Sequence, residues 1–205
     1  MKSKDKAQLS LFNSEPEPSL EKKQENKYQY LIVVSPSDEI KEKVLELKKK
    51  LNVLVPISNF NLRSTPHISI IGFSMKEPLK DDFWNKFQLF FSKVPRFVVS
   101  LNGFENFLHG QISNTLFIKI EDEKPFVLLH KIITQFFNIN ERNYMPHLTV
   151  ARVLPRESLP IIKTFIEEEQ FKGKFKCTNI TVLERTVEGK LTSHYKVCRQ
   201  IELQD

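Results

Sequence analysis

Two stretches of the chain, "TPHISI" at residues 65–70 and "MPHLTV" at 145–150, carry one pattern: proline, histidine, aliphatic, hydroxyl, aliphatic. Their histidines, His67 and His147, lie 80 residues apart. Successive side chains of a strand point to opposite faces. His67 and Ser69 therefore share one face of their strand, with Ile68 and Ile70 turned to a core behind it. His147 and Thr149 repeat this arrangement against Leu148 and Val150.

The elements around the two stretches recur in the same order. "YQYLIVV" reads as a strand from its β-branched and aromatic run. Ser35 is placed to cap a helix with Pro36 as its first residue, and Ile40, Val44, Leu47 and Leu51 follow at helical spacing. "STPHISIIGF" is a strand. A helix opening near Pro78 sets Leu79, Phe83, Phe87, Phe90 and Val94 on one face, and "RFVVSLNGF" is a strand. The second half runs "NTLFIKI" (strand), "KPFVLLHKIITQFF" (helix), "MPHLTVARVL" (strand), "SLPIIKTFIEEEQF" (helix) and "KFKCTNITVLE" (strand). Beyond Glu188-Gly189-Lys190 comes "HYKVCRQIEL", in which Tyr195, Val197, Ile201 and Leu203 alternate. The expected fold class is α+β: two pseudo-symmetric lobes, each an antiparallel sheet backed by helices, flanking a central groove.

The rest of the chain sets bounds. With 205 residues, 40% hydrophobic, there is enough apolar surface for one core shared by two lobes. Residues 1–26 are polar and of mixed charge and read as a disordered tail, leaving 27–205 for the folded domain. In that tail "QLSLF" looks like the short peptide by which bacterial proteins dock on the DNA-polymerase sliding clamp. Gln8, Leu9, Leu11 and Phe12 would make the contact, and a chance match in a polar segment is the alternative. No run approaches the roughly 20 apolar residues of a membrane helix, and "MKSKDKAQLS" lacks the apolar block of a secretory signal. Cys177 and Cys198 have no metal-ligand spacing and read as free thiols of a reducing compartment. The expectation is a cytoplasmic monomer needing no cofactor and no metal. The first 27 residues hold six lysines and five acids, so +5 of the net +6 falls on the folded part. That suits an anionic partner without identifying nucleic acid.

Two imidazoles and two hydroxyls meeting in a groove suit a phosphodiester. Hydroxyls and an imidazolium donate to its oxygens, while one neutral imidazole takes a proton and the other gives one. Histidine ordinarily titrates near 6.5, so both states are accessible at neutral pH. Each transfer contributes about 10²–10⁴ in rate. A lone strand histidine is more often structural, and two histidines without a third ligand make a poor zinc site. The duplication sets this pair apart.

The paired motifs and the tail of the second, "PHLTVAR", resemble the two-histidine (2H) phosphoesterase superfamily, above all its branch of bacterial RNA 2′,3′-cyclic phosphodiesterases, also called 2′-5′ RNA ligases. The resemblance spans residues 28–203. It implies a bilobal fold, a metal-independent site between the lobes, and hydrolysis of cyclic phosphate ends or 2′-5′ linkages, with reverse ligation. It implies His147 as the base on water, His67 as the acid on the leaving ribose oxygen, and Ser69 and Thr149 as phosphate holders. The residues themselves do not distinguish the two histidines. Serine replaces the commoner threonine in the first motif. Arg152 matches the trailing arginine of the family and is a candidate phosphate ligand, whereas Gly72 occupies its place in the first copy. Strict alternation would turn Arg152 away from His147.

A 2′,3′-cyclic phosphate requires a 2′-oxygen, so RNA is the expected partner. Tyr144 is the leading candidate to stack a base, with Phe73 and Tyr195 behind it. Arg63 reads as a loop arginine. His109, beside Gly110 in a turn, and His130, within a helix, lack a hydroxyl partner and are set aside; His194 lies in the last hairpin. The competing function class is a non-catalytic module that holds an RNA end or a nucleotide, with its tail as a means of recruitment.

Overall fold

The computed structural model describes residues 27–140, 143–188 and 191–204. The tail over 1–26, with the peptide of Gln8, Leu9, Leu11 and Phe12, lies outside these residues. The first half comprises β1 (Lys27–Val34), α1 (Asp38–Leu54), α2 (Asn59–Arg63), β2 (Ile68–Met75), α3 (Asp81–Phe91) and β3 (Phe97–His109). The second comprises β4 (Ser113–Ile120), α4 (Lys124–Phe137), β5 (His147–Pro155), a 3-10 turn (Arg156–Ser158), α5 (Leu159–Glu168) and β6 (Lys172–Cys177). β7 (Asn179–Glu188), β8 (Leu191–Thr192) and β9 (Lys196–Glu202) close the chain.

Each helix buries its apolar stripe, with two departures from the sequence reading. α1 buries Ile40, Val44, Leu47 and Leu51 as expected. It starts at Asp38 with Ser37 at the N-cap, two residues beyond the expected Ser35; the acids Asp38 and Glu39 fill its first turn, where the helix dipole favours negative charge. α3 buries Trp84, Phe87 and Phe91, while Phe90 is 45% exposed. The helix is rotated so that its tryptophan goes inside. Tyr30, Phe83 and Phe87 pack against it, and Phe73, Phe136 and Phe137 extend the cluster, with Phe73 and Phe137 ring centroids 4.3 Å apart. Fully burying each such side chain contributes about 1.5–3 kcal/mol.

Among the described residues, nine strands join in the order β6-β3-β4-β5-β2-β1-β7-β8, with β9 also on β7. All the named ladders are antiparallel. "KFKCTNITVLE" is not one strand. It breaks at Thr178 into β6, which pairs with β3, and β7, which pairs with β1 and β9. β3, from the first half, likewise pairs with β4 of the second. Each lobe therefore takes a strand from the opposite half: β2-β1-β7 with β9 in one, β5-β4-β3-β6 in the other. Among the described residues, the two sheets join through a single register pair, Ile68 opposite Leu148. The helices cross over as well. α1 lies against β5 and β6, and α4 against β2. Among the described residues, no helix is long and apolar enough to cross a membrane.

Candidate active site

The join between lobes sets the site. Ile68 and Leu148, the aliphatic residues of the two motifs, are both fully buried and face each other across β2 and β5. Extending that antiparallel register by one residue each way brings His67 beside Thr149 and Ser69 beside His147. Each imidazole thus has the other motif's hydroxyl as its cross-strand neighbour. The two imidazoles stand on a diagonal, a spacing of about 7–8 Å in an antiparallel pair.

Both rings are held alike. His67 Nδ1 lies 2.8 Å from the Thr65 carbonyl oxygen, and His147 Nδ1 lies 2.9 Å from that of Met145. A carbonyl only accepts, so Nδ1 carries the proton and Nε2 is the working atom of each neutral ring. Each bond runs to the residue two places back, across a buried proline, Pro66 or Pro146. Proline fixes its own φ and restricts the residue before it, which presets that carbonyl.

A second shared feature corrects the expectation for Arg152. In β2 the register jumps from Ile71 opposite Ile32 to Ser69 opposite Val33, leaving Ile70 as an extra residue. In β5 it jumps from Ala151 opposite Leu116 to Thr149 opposite Phe117, leaving Val150 extra. Each motif strand therefore bulges at the equivalent place, one residue past its hydroxyl. Alternation flips there: Ile70 and Ile71 are both buried, as are Val150 and Ala151. Arg152 and its counterpart Gly72 consequently turn to the open face. A second irregularity between Ala151 and Leu154, where Val153 has φ of +56°, bends the strand further.

These groups line one cleft of about 550 Å³, into which His67, Ser69, His147, Thr149 and Arg152 all open. No carboxylate is among its lining residues. At its inner end lies Lys48, 2% exposed, its ammonium donating to the carbonyls of Asn61 (3.0 Å) and Ser64 (2.7 Å) and to Ser64 Oγ (2.9 Å). All three donors are used on neutral acceptors, so the positive charge itself is not cancelled. Burial, and then Arg152, push the Lys48 ammonium down to about 8. Burial also lowers His67, reinforced by Arg152, Lys48 and His147 against the opposing pull of the Thr65 carbonyl. Burial lowers His147, and the Met145 carbonyl opposes it. With two cations, the two motif imidazoles and the two motif hydroxyls among its lining groups, the cleft suits an anion electrostatically.

Lys48 and Asn61 escape a reading of the motifs alone. "ELKKKL" reads as a solvated face, yet Lys48 falls four residues after Val44 and three before Leu51, within the apolar stripe. His109 is also in the cleft wall, its Nε2 3.0 Å from Thr115 Oγ1, because β3 runs on to its position instead of ending at Phe104. Phe107 lines the cleft too, with its ring 5.0 Å from that of His147 and stacked on Phe117 at 4.3 Å.

Other candidates lie elsewhere. The Tyr144 ring is stacked on His130 (4.2 Å, 2° between planes), and its hydroxyl donates to the Ser69 carbonyl at 3.0 Å. It braces the back of the first motif and is not in the cleft wall. Phe73 belongs to the aromatic core, Tyr195 lies under the Arg185 guanidinium, and Arg63 is exposed. Among the described residues, no group of three His, Cys, Asp or Glu side chains could hold a metal ion. Burial pushes the Cys177 thiol up to about 12, far from a reactive thiolate.

Residues 36–189 match the model of the 2′-5′ RNA ligase superfamily. Among solved structures, the chain is similar to E. coli LigT complexed with 3′-AMP, at 13% identity and a TM-score of 0.60, covering 87% of this chain and 99% of that one. It is similar to TT0787 of Thermus thermophilus at 14% identity and a TM-score of 0.60, covering 86% and 98%. A structure described only as a phosphoesterase gives 13% identity and a TM-score of 0.59. These likenesses carry the fold. No curated protein matches the sequence.

Proposed function

The chain belongs to the 2′-5′ RNA ligase superfamily, and from that premise we propose that it is a metal-independent phosphodiesterase acting on RNA-type 2′,3′-cyclic phosphate ends. The observation that carries this reading is the opening of two equivalent imidazoles, each with Nδ1 anchored on a carbonyl, into one cationic cleft.

The cyclic phosphate enters between His67 and His147, its non-bridging oxygens taking hydrogen bonds from Ser69 and Thr149 and the charge of Arg152. In the assignment implied by the family resemblance, neutral His147 removes a proton from water through Nε2. The water oxygen bonds to phosphorus, one P–O bond to ribose breaks, and protonated His67 delivers its Nε2 proton to that oxygen. The product is a phosphomonoester; proton return between the rings resets the site. Lys48 and Arg152 disfavour the protonated His67 in the free protein. The negative phosphate offsets them, so the acid is charged most readily when substrate is bound.

The test is turnover of nucleoside 2′,3′-cyclic phosphates in EDTA. The reading expects hydrolysis in EDTA, with a loss of about 10²-fold or more in both H67A and H147A. Absence of turnover on cyclic phosphates and 2′-5′ oligonucleotides alike would leave a module that holds RNA ends without cutting them.

A further inference from the structure

The sheet β5-β4-β3-β6 has one face covered and one open. α1 and α5 lie on the covered face, where Ile40 approaches Gly173 and Phe104 meets Phe165. On the open face, strand alternation brings out a row of basic groups that begins at the catalytic cleft. Lys119 on β4 is the direct cross-strand partner of His147 and is exposed. Its side chain runs over Gly103 of β3, its Cε 3.6 Å from where a β-carbon would stand. That leads toward Asn102, whose register partner on β6 is Lys172. Lys174 and Lys176 follow at every second residue of β6, opposite Ser100 and Val98, and all three lysines are exposed. A shallow groove of about 490 Å³ lies on this face, and Ser100, Asn102, Glu121, Lys172 and Lys174 are among its lining residues. Two acids share the face. Glu121 accepts from Asn102 Nδ2 at 2.9 Å, and Glu105 lies opposite Phe117. Four lysines against two carboxylates leave the face positive.

From this we infer that the open face carries a single-stranded RNA whose 3′ end lies in the cleft, its phosphates following Lys119, Lys172, Lys174 and Lys176. The preferred substrate is then an oligonucleotide end, whose phosphates reach the lysines, while a free cyclic nucleotide occupies the cleft alone. The inference rests on the reading of the cleft given above. Lysines on an edge strand can simply discourage pairing with another sheet. Lys119, however, is on an interior strand, and the continuity from His147 through the Gly103 gap to the β6 groove is not explained by edge protection. The step across β4, β3 and β6 from β5 is about 14 Å at the usual strand spacing, room for several nucleotides. An extended chain with one negative charge per nucleotide fits the alternate spacing of the lysines.

Fluorescence anisotropy with a labelled eight-nucleotide RNA ending in 2′,3′-cyclic phosphate tests this without requiring turnover, using wild type and K172Q/K174Q/K176Q. Wild type is expected to bind with log affinity falling against log salt at a slope of about −3, near −0.7 per contacted phosphate. The triple variant should bind about 10-fold more weakly at low salt, with a slope shallower by about 2. Hydrolysis of cyclic CMP, which ends in the cleft, should be equal in both. Binding of the octamer no tighter than cyclic CMP, or an unchanged slope in the triple variant, overturns the inference while leaving the cleft chemistry standing. Equal affinity for an acidic peptide of matched charge also overturns it. Failure of cyclic CMP hydrolysis with octamer binding intact overturns the catalytic reading alone. If the triple variant aggregates, K119Q provides the same slope measurement, with a change of about 0.7 expected.

Discussion

Asn61 and Arg152 hold one another through the Arg152 backbone. The Asn61 side-chain amide donates to the Arg152 carbonyl at 2.7 Å, and the Arg152 N–H donates to Asn61 Oδ1 at 3.4 Å. Asn61 belongs to α2, just ahead of the first motif, and Arg152 follows the second. The pair therefore ties the two motifs together from outside them, and Lys48 completes it by binding the Asn61 carbonyl. Replacing Asn61 with alanine removes both bonds and leaves a partly buried carbonyl without its partner. We expect a stability loss of about 1–3 kcal/mol in thermal unfolding. KM for a cyclic phosphate should rise several-fold as Arg152 drifts, with kcat changed by less than about 3-fold.

Lys48→Met tests whether the buried charge acts on chemistry or only on folding. The Lys48 ammonium is one of the charges that lower His67. Its loss should move the kcat/KM optimum to higher pH, which lost packing alone would not do. Folding gives a second readout. A lysine lowered from 10.5 to about 8 binds fewer protons folded than unfolded between those values. Wild type should therefore gain stability as pH rises from about 8 to 10.5. K48M should lack that gain in denaturant titrations.

The wild-type pH profile has a defined sign. Both histidines are lowered, chiefly by burial. The base is thus ready below 6.5, and the acid loses its proton below 6.5 as well. The kcat/KM optimum should lie on the acid side of the ordinary histidine value, and the kcat optimum higher, because bound phosphate favours imidazolium. A kcat/KM that climbs steadily to pH 8 would contradict this. The same depression makes the folded state lose stability as pH falls through 6.5, since the unfolded chain takes up the protons first.

The acid and the base can be told apart by leaving group. A p-nitrophenyl phosphodiester needs little protonation as it leaves. The variant lacking the acid should recover about 10²-fold relative to its rate on a cyclic nucleotide, and the variant lacking the base should not. Recovery in H67A supports the assignment given above; recovery in H147A reverses it.

Tyr144→Phe separates bracing from base recognition. It removes the bond to the Ser69 carbonyl and keeps the ring. We expect about 0.5–1.5 kcal/mol lower stability and equal relative rates on purine and pyrimidine substrates. A change in base preference would return Tyr144 to the substrate.

Much of this architecture was legible in the chain because it was written twice. The two motif strands, α4 and the apolar stripe of α1 follow from alternation and helical period, and they lie as read. What was not legible depends on departures from period. The bulges at Ile70 and Val150 leave no mark in composition, since two aliphatic residues in a row look like any buried strand. Without them Arg152 faces the wrong way on paper. The break at Thr178 was hidden because residues on either side are good strand formers whose pairing partners lie in different lobes. Tyr144 lies outside the cleft wall for a local reason: nearness in sequence to His147 says nothing about which side of the strand its ring takes.

The exchange of β3 and β7 between lobes has a mechanical consequence. Neither half of the chain holds the strands of a whole sheet, so opening the groove by swinging one repeat away from the other would mean unzipping the β3–β4 and β1–β7 ladders. The two halves of the sequence therefore cannot part as units, and the gap between the imidazoles changes only if the two sheets pivot at the Ile68–Leu148 join.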